Sequence, residues 1–396
     1  MILGAGTLAQ ATFSAVSVGL PALAPALRSH YRLSLAETGV VLGAIGIGQL
    51  PTLLPWGLLA DRIGERLVIA LGLAGAGGAI AAAAATQRYA TLVVLLIAGG
   101  ALGASVNAAS GRAVMGWFGA DERGLALGIR QTAIPIGGAA AAATLPWLAS
   151  AGGTRLAFVV LGCTCAAGGL IAGALMREPP LRATAGLGDL TRPARDPRMW
   201  LLAGGSALYL TAQMAVTTFV VLFLHEHRGL SSHAAAGVLA GINVLAIGAR
   251  IGAGRWSDRV RARLRPLRLV GVGLTVGTAI VAALVDAPLA VLVPALVVAG
   301  VLGLSWNGLS FTAAAEAAGT RSSGAAIGFQ QTMLGVLVAA VPPAFAALVV
   351  ATSWRVAFAL AAVGPALGVL ALRRVPEPSL LGGRTRGTAA IPPAAR

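Results

Sequence analysis

Two arginines stand inside apolar stretches of this sequence. Arg130 lies within "GLALGIRQTAIPIGG" (124–138), and Arg250 lies within "GARIGAGRWSDR" (248–259). A guanidinium presents paired donors in a planar fork that matches a carboxylate or a phosphate. Neither stretch carries a carboxylate at the depth of its arginine. The two side chains therefore predict a binding site for an organic anion, with Arg130 as the deeper of the two. For Arg250 the alternative is a long side chain that bonds helix-end carbonyls.

Amide side chains stand at comparable depth in other apolar stretches. An amide can bind a substrate with both donors and acceptors, or it can join neighbouring helices by ordinary hydrogen bonds. Both interpretations stay open, and Gln131 and Gln331 are favoured because they adjoin positions 130 and 330. The amides predicted to contact substrate are Gln49, Asn107, Gln131, Asn243, Asn307, Gln330 and Gln331.

The elements that carry these residues are predicted to be membrane helices. The chain has 396 residues, of which 57% are hydrophobic and 11% charged, whereas soluble domains carry about 25% charged residues. Its apolar runs of roughly 20 residues each suffice to cross a bilayer. They lack the alternation of barrel strands, which leaves helices as the spanning structure. We predict an all-α polytopic membrane protein with twelve transmembrane helices, at 7–27, 36–59, 67–86, 90–112, 123–149, 154–176, 198–224, 232–254, 267–286, 288–313, 322–350 and 354–373.

The basic residues are distributed unevenly between the two sides of the predicted membrane. The net charge is +16 and every basic residue other than histidine is arginine. Most arginines lie on the side that holds both termini, which predicts cytoplasmic termini in a multi-pass protein of the cell membrane. Their partner is then the lipid bilayer with its anionic headgroups, and not a nucleic acid. The arginines of the other side are Arg28, Arg32, Arg88, Arg155, Arg228 and Arg355.

The chain repeats itself after 200 residues. The segment "LGASVNAAS" (102–110) corresponds to "LGLSWNGLS" (302–310), and "GLALGIRQT" (124–132) corresponds to "GAAIGFQQT" (324–332). Both copies carry six predicted helices, so the repeats share one orientation in the membrane. Arg130 corresponds to a neutral residue, Gln330, in the second copy.

The repeat divides the chain into parts. The longest polar, proline-bearing stretch between predicted helices lies midway, and the last residues are rich in Gly, Pro, Ala and Arg. Such a composition is typical of disorder. We predict an N-terminal six-helix half over 1–176, a cytoplasmic linker over 177–197, a C-terminal six-helix half over 198–375 and a disordered cytoplasmic tail over 376–396.

One loop sequence occurs in both halves and resembles a family motif. The segments are "GLLADRIGER" (57–66) and "GRWSDRVRAR" (254–263). With the twelve helices, they resemble the Gly-x-Leu-x-Asp-Arg-x-Gly-Arg-Arg loop of the major facilitator superfamily. The first copy departs from the pattern at Glu65, and the second has Arg261 in place of the later glycine.

The resemblance implies a cytoplasmic gate that latches the halves together while the central cavity opens outward. The small residues let helix ends approach each other, and the aspartates suit amides at a helix N-terminus. The gate residues implied by the motif are Gly57, Asp61, Arg62, Gly64, Arg66, Gly254, Asp258 and Arg259.

The resemblance also bears on function. Arg250, four residues before Gly254, resembles the arginine of the eighth helix in oxalate–formate and monocarboxylate carriers. We predict a secondary active transporter that works by alternating access on a small organic carboxylate, either by exchange for a counter-anion or coupled to protons. The alternative is proton-coupled efflux of drug-like compounds, since "IPIGG" (134–138) loosely resembles a kink motif of antiporters. Low aromatic content, 5%, and the lack of a deep carboxylate favour the anion.

Other classes of function find little support in the sequence. It has no phosphate-binding P-loop, no HExxH helix and no nucleophile elbow, which argues against an enzyme or an ATP-driven pump. Cys163 and Cys165 suit neither a metal site nor a disulfide, and we expect no metal or cofactor. The two repeated halves and the gate loops of this chain are more typical of a transporter than of a channel. We expect a monomer with a small-molecule substrate.

Overall fold

The chain folds into membrane-length helices throughout the part that the structure describes. This computed structural model describes residues 2–117, 123–176, 193–319 and 323–377, and in these ranges it describes no side chain for 2, 61, 110–117, 123–129 and 323. Within those ranges, eleven helices are long and apolar enough to cross a membrane. One of them, Arg130–Leu175, is broken at Gly152 and Gly153, where Gly153 has φ +66°. That break makes two spans of it and confirms the predicted twelve.

We number the spans 1–12 in chain order. Spans 1–6 consist of Ile2–Ser17 with Ala24–Tyr31, then Leu35–Ile63, Glu65–Ala82, Tyr89–Trp117, and the two parts of Arg123–Leu175. Spans 7–12 consist of Pro197–Ala207 with Tyr209–Leu222, then Ser232–Arg259, Leu264–Ala283, Leu289–Ser305 with Asn307–Ala318, Ser323–Ala351 and Trp354–Arg373.

Three spans are interrupted where the sequence predicted continuous helices. Span 1 was predicted at 7–27, but it runs from residue 2 to 31 and passes through a short 3-10 segment, Leu20–Leu23, beside prolines 21 and 25. Span 7 is interrupted at Leu208 and span 10 at Trp306. Spans 7 and 10 have no proline at the break, so the sequence lacks the usual signal for an interrupted helix there. Each break leaves main-chain carbonyls outside the helical ladder.

The two motif loops share one backbone feature, a positive φ at the same position of the motif. Between spans 2 and 3, Gly64 has φ +91°, a conformation that glycine adopts without steric cost. In the second loop the equivalent residue is Arg261, and its φ is +48°. The two turns differ in length, because Gly64 alone separates Leu35–Ile63 from Glu65–Ala82, whereas residues 260–263 separate Ser232–Arg259 from Leu264–Ala283. The side chain of Arg261 at positive φ is strained.

The two halves pack tightly together at one end of the bundle. We call it the closed end; it holds residues 31–35 and 227–232. A Cβ added to Gly39 of span 2 would stand 2.4 Å from the Ala346 Cβ of span 11, and one added to Gly46 would stand 2.8 Å from Val338. Glycine at these positions lets the two backbones approach each other directly.

The opposite end, which holds the loops 61–66 and 258–263, we call the arginine-rich end. A Cβ added to Gly57 of span 2, to Gly254 of span 8 or to Gly328 of span 11 would meet no atom within 4 Å. The halves are therefore in contact at the closed end and spread apart towards the arginine-rich end.

The predicted linker and tail fall mostly outside the description: residues 177–192 and 378–396 are not described. At the described start of the predicted tail, the Glu377 carboxylate accepts hydrogen bonds from the backbone N–H groups of Leu264 (2.7 Å) and Arg265 (3.2 Å). A carboxylate at this position satisfies free amides of the first turn of span 9.

Candidate functional site

Arg130 begins a chain of hydrogen bonds across four spans of the first half. Its Nη1 donates to Gln10 Oε1 of span 1 at 3.2 Å, and Gln10 Nε2 donates to Asn107 Oδ1 of span 4 at 3.0 Å. Asn107 Nδ2 in turn donates to Gln49 Oε1 of span 2 at 3.3 Å. Arg130 is 5% exposed and Gln10 is 2% exposed. A buried guanidinium thus lies at one end of a continuous amide network.

This network fits both interpretations of the amides. Asn107 and Gln49 are half-buried, so part of each residue remains accessible. The same bonds also hold spans 1, 2 and 4 together, which is the ordinary packing role of amides in membranes. One acceptor of Arg130 is the neutral amide oxygen of Gln10, and an anion is a stronger acceptor for a guanidinium than an amide is.

Arg250 binds main-chain oxygens in both halves. Its Nε donates to the Leu304 carbonyl of span 10 at 2.6 Å, and its Nη1 donates to the Gln131 carbonyl of span 5 at 2.7 Å. Span 5 packs against span 8, since Gly138 lies directly against the Asn243 side chain. Arg250 therefore contacts the main chain of the residue that follows Arg130, but the two guanidiniums donate to different partners.

The second half has its own amide contacts at the corresponding level. Gln330, the repeat counterpart of Arg130, is fully buried and its Nε2 donates to Ser310 Oγ. Gln213 of span 7 accepts from the Trp306 indole N–H at 3.0 Å. Gln10 in span 1 and Gln213 in span 7 thus each bond the fourth span of their own half.

The remaining predicted contacts are placed separately. Asn243 is fully buried and its Nδ2 donates to the Leu239 carbonyl of its own helix at 2.9 Å. Asn307 and Gln331 are half-buried on spans 10 and 11. The Gln131 side chain is 9% exposed, and it is the main chain of this residue that Arg250 contacts.

The predicted gate residues surround the two loops at the arginine-rich end. Arg66 Nε donates to the Gly173 carbonyl of span 6, inside the first half. Asp258 accepts from Arg263 Nη1 at 2.5 Å, inside the second loop, and Arg62 and Arg259 are exposed. The side chain of Asp61 lies outside the described residues.

The closed end carries polar and aromatic contacts between the halves. Arg28, at the end of span 1, forms a salt bridge with Glu226, at the end of span 7. The ring of Trp147 in span 5 lies 4.4 Å from the ring of His233 in span 8, centroid to centroid. These contacts join span 1 to span 7 and span 5 to span 8, whereas Gly39 and Gly46 bring span 2 against span 11.

Three contributors to the site were not among the sequence-predicted residues. Gln10 is an amide within the first apolar run, but nothing in the sequence indicated that it bonds Arg130. Pro135 and the break at Trp306 provide the carbonyls that Arg250 binds. The signal for Pro135 was available, because a proline in a helix frees the carbonyl four residues earlier.

No metal site emerges within the described ranges, where no group of three or more His, Cys, Asp or Glu side chains could hold an ion. The polar side chains that the structure describes around Arg130 are the amides of Gln10, Asn107 and Gln49.

Comparisons with known sequences agree on one family. The family model described as Major Facilitator Superfamily matches residues 5–342. An uncharacterized MFS-type transporter of Mycobacterium tuberculosis is 36% identical over 355 residues, 89% of this chain and 79% of that protein. A probable sulfoacetate transporter of Cupriavidus necator is 27% identical over 288 residues, 66% of each chain.

Solved structures show the same fold. A D-xylose–proton symporter superposes with a TM-score of 0.76 at 16% sequence identity, covering 96% of this chain and 98% of the symporter. At that identity the likeness concerns the arrangement of helices alone.

Proposed function

Because this chain belongs to the major facilitator superfamily, it is a membrane transporter, and we propose that it moves a small organic anion by alternating access. The observation that supports an anion as the substrate is the environment of Arg130. Its buried guanidinium donates a hydrogen bond to a neutral amide oxygen, Gln10 Oε1. Charge inside a membrane is costly, and such residues mark substrate pathways.

The proposed site lies between the halves at the level of Arg130. A carboxylate or sulfonate that enters there exchanges a neutral acceptor of Arg130 for a charged one, which strengthens the hydrogen bond. Gln49, Asn107, Asn307 and Gln331 are half-buried and supply neutral donors and acceptors for the rest of the molecule. The sulfoacetate named for the 27% identical relative is itself a small anion of this class.

Alternating access is supported by the unequal ends of the bundle. The halves meet at the closed end and diverge at the arginine-rich end, as in a transporter open to one side. By the positive-inside rule we assign the arginine-rich end to the cytoplasm. The cavity then opens inward, and the motif loops form the gate that has to close in the opposite state.

Binding of ligands to the purified protein tests the class of substrate. We expect small carboxylates and sulfonates, sulfoacetate included, to raise the melting temperature, because a ligand that binds only the folded state stabilises it. Neutral sugars and cationic drugs of similar size are expected to leave the melting temperature unchanged. Stabilisation by cationic or neutral drug-like compounds alone would instead favour the efflux alternative.

The proposed topology is tested separately. We expect a single cysteine at position 188, in a protein without Cys163 and Cys165, to resist an impermeant thiol reagent added to whole cells. A cysteine at the exposed Gln87 of the closed end serves as the control and should react. Ready labelling at position 188 with protection at position 87 would reverse the assigned orientation.

A further inference from the structure

Arg250 connects three spans through main-chain acceptors. Its bond to the Gln131 carbonyl, 2.7 Å, crosses from the second half to the first, and its bond to the Leu304 carbonyl, 2.6 Å, stays within the second half. Both lengths are typical of strong hydrogen bonds from a charged donor. A guanidinium is suited to such a contact because its N–H groups point in several fixed directions.

The sequence makes both carbonyls available. Inside a helix the carbonyl of residue 131 would accept from the N–H of residue 135, but residue 135 is proline and has none. The carbonyl of Leu304 belongs to the last turn of the helix Leu289–Ser305, which ends where span 10 breaks at Trp306. Carbonyls of a last turn lack helical partners. A buried carbonyl without a donor is costly, and Arg250 supplies both donors.

The contact lies where the two halves begin to separate. Seven residues towards the closed end on each helix, Gly138 and Asn243 are so close that a Cβ on Gly138 would stand 2.7 Å from Asn243 Oδ1. Four residues towards the arginine-rich end from Arg250, a Cβ on Gly254 would meet no atom within 4 Å. Arg250 therefore bonds span 5 at the boundary between the packed and the open part of the interface.

We propose that Arg250 is a positioning residue that holds the two halves together at this boundary, and that Pro135 creates the acceptor for it. The proposal rests on the alternating-access part of the proposed function but not on the class of substrate. A contact at this place limits how far the cytoplasmic parts of spans 5 and 8 spread. Its loss should widen the range of separations between the halves without requiring any ligand.

The test measures that separation directly. Spin labels are attached to Ile63→Cys in the first half and Val260→Cys in the second, both exposed at the arginine-rich end, in full-length protein lacking Cys163 and Cys165. Distances are recorded without substrate. We expect Arg250→Gln to raise the fraction of molecules outside the wild-type distance range by about tenfold, because the variant loses hydrogen bonds from a charged donor that stabilise the wild-type separation.

Pro135→Ala provides the decisive comparison. It restores an N–H at residue 135, so the Gln131 carbonyl can be satisfied inside its own helix and the bond from Arg250 weakens. We expect the same change of distances as for Arg250→Gln, but smaller. In the double variant, Pro135→Ala should add nothing to Arg250→Gln, because the contact that it weakens is already absent.

Pro146→Ala is the matched control. Pro146 lies in the same span and frees the carbonyl of Ala142, to which no side chain of the described residues donates. We expect it to keep the wild-type distances. Equal effects of Pro135→Ala and Pro146→Ala, or additive effects of Pro135→Ala and Arg250→Gln, would overturn the proposal.

If Arg250→Gln does not fold, Arg250→Lys replaces it, since lysine keeps the charge but lacks the fork, and an intermediate broadening is expected. Wild-type distances in Arg250→Lys together with wild-type distances in Pro135→Ala would equally refute the proposal. These measurements use no substrate, so a negative result leaves the anion proposal untouched. A negative ligand screen likewise leaves the proposed role of Arg250 untouched, because the screen does not measure distances.

Discussion

Replacing Arg130 with glutamine is expected to weaken binding of the organic anion by about tenfold or more. Removing one partner of a buried, hydrogen-bonded charge pair costs about 2–5 kcal/mol. Glutamine is the residue that the second half carries at the equivalent position, 330, so the substitution is compatible with this fold. The measurement is the dissociation constant of the anion identified in the ligand screen.

Three comparisons separate loss of the donor fork from general damage. Arg130→Lys should recover only part of the affinity, because lysine presents a point charge without paired donors. Arg155→Gln removes an exposed arginine near the closed end and should bind the anion as the wild type does. Neutral compounds, where they bind, should bind Arg130→Gln no worse than the wild type. Normal affinity of folded Arg130→Gln for the anion would refute the proposed role of Arg130.

Replacing Gly39 with valine is expected to drive the protein out of the conformation described here. A Cβ at this position would stand 2.4 Å from the Ala346 Cβ and 2.9 Å from the Pro342 carbonyl oxygen of span 11. Overpacking of this kind costs about 1–3 kcal/mol. Since the clash exists only while the closed end is closed, the population of this conformation should fall by about one to two powers of ten.

The separation of the closed end reports this change. Spin labels at the exposed positions Gln87 and Thr352, one in each half, should move apart in Gly39→Val. Gly237→Val, in span 8 where an added Cβ meets no atom within 4 Å, should keep the wild-type distance. Gly39→Ala is the milder variant in case valine prevents folding. An unchanged distance in both folded Gly39 variants would show that tight glycine packing does not hold this end closed.

Most of the fold was predictable because it depends on local properties of the chain. An apolar run of sufficient length has to form a helix in a membrane, where its backbone can bond only within the segment. The repeat, the two motif loops and the family followed from segments that the sequence displays directly. The breaks in spans 7 and 10 were not predictable, since Leu208 and Trp306 are apolar residues within long apolar runs and no proline stands at either break.

The site was predictable only as a set of residue types. The sequence by itself determined that Arg130, Arg250 and several amides lie within membrane spans, because their flanking runs are apolar. Only the tertiary structure decided that Arg130 donates to Gln10, which is 120 positions away, and that Arg250 donates to main-chain oxygens instead of another side chain. Helix formation is decided by neighbours within four residues. Contacts between helices depend on how rigid elements are placed against one another, which no single segment of the chain encodes.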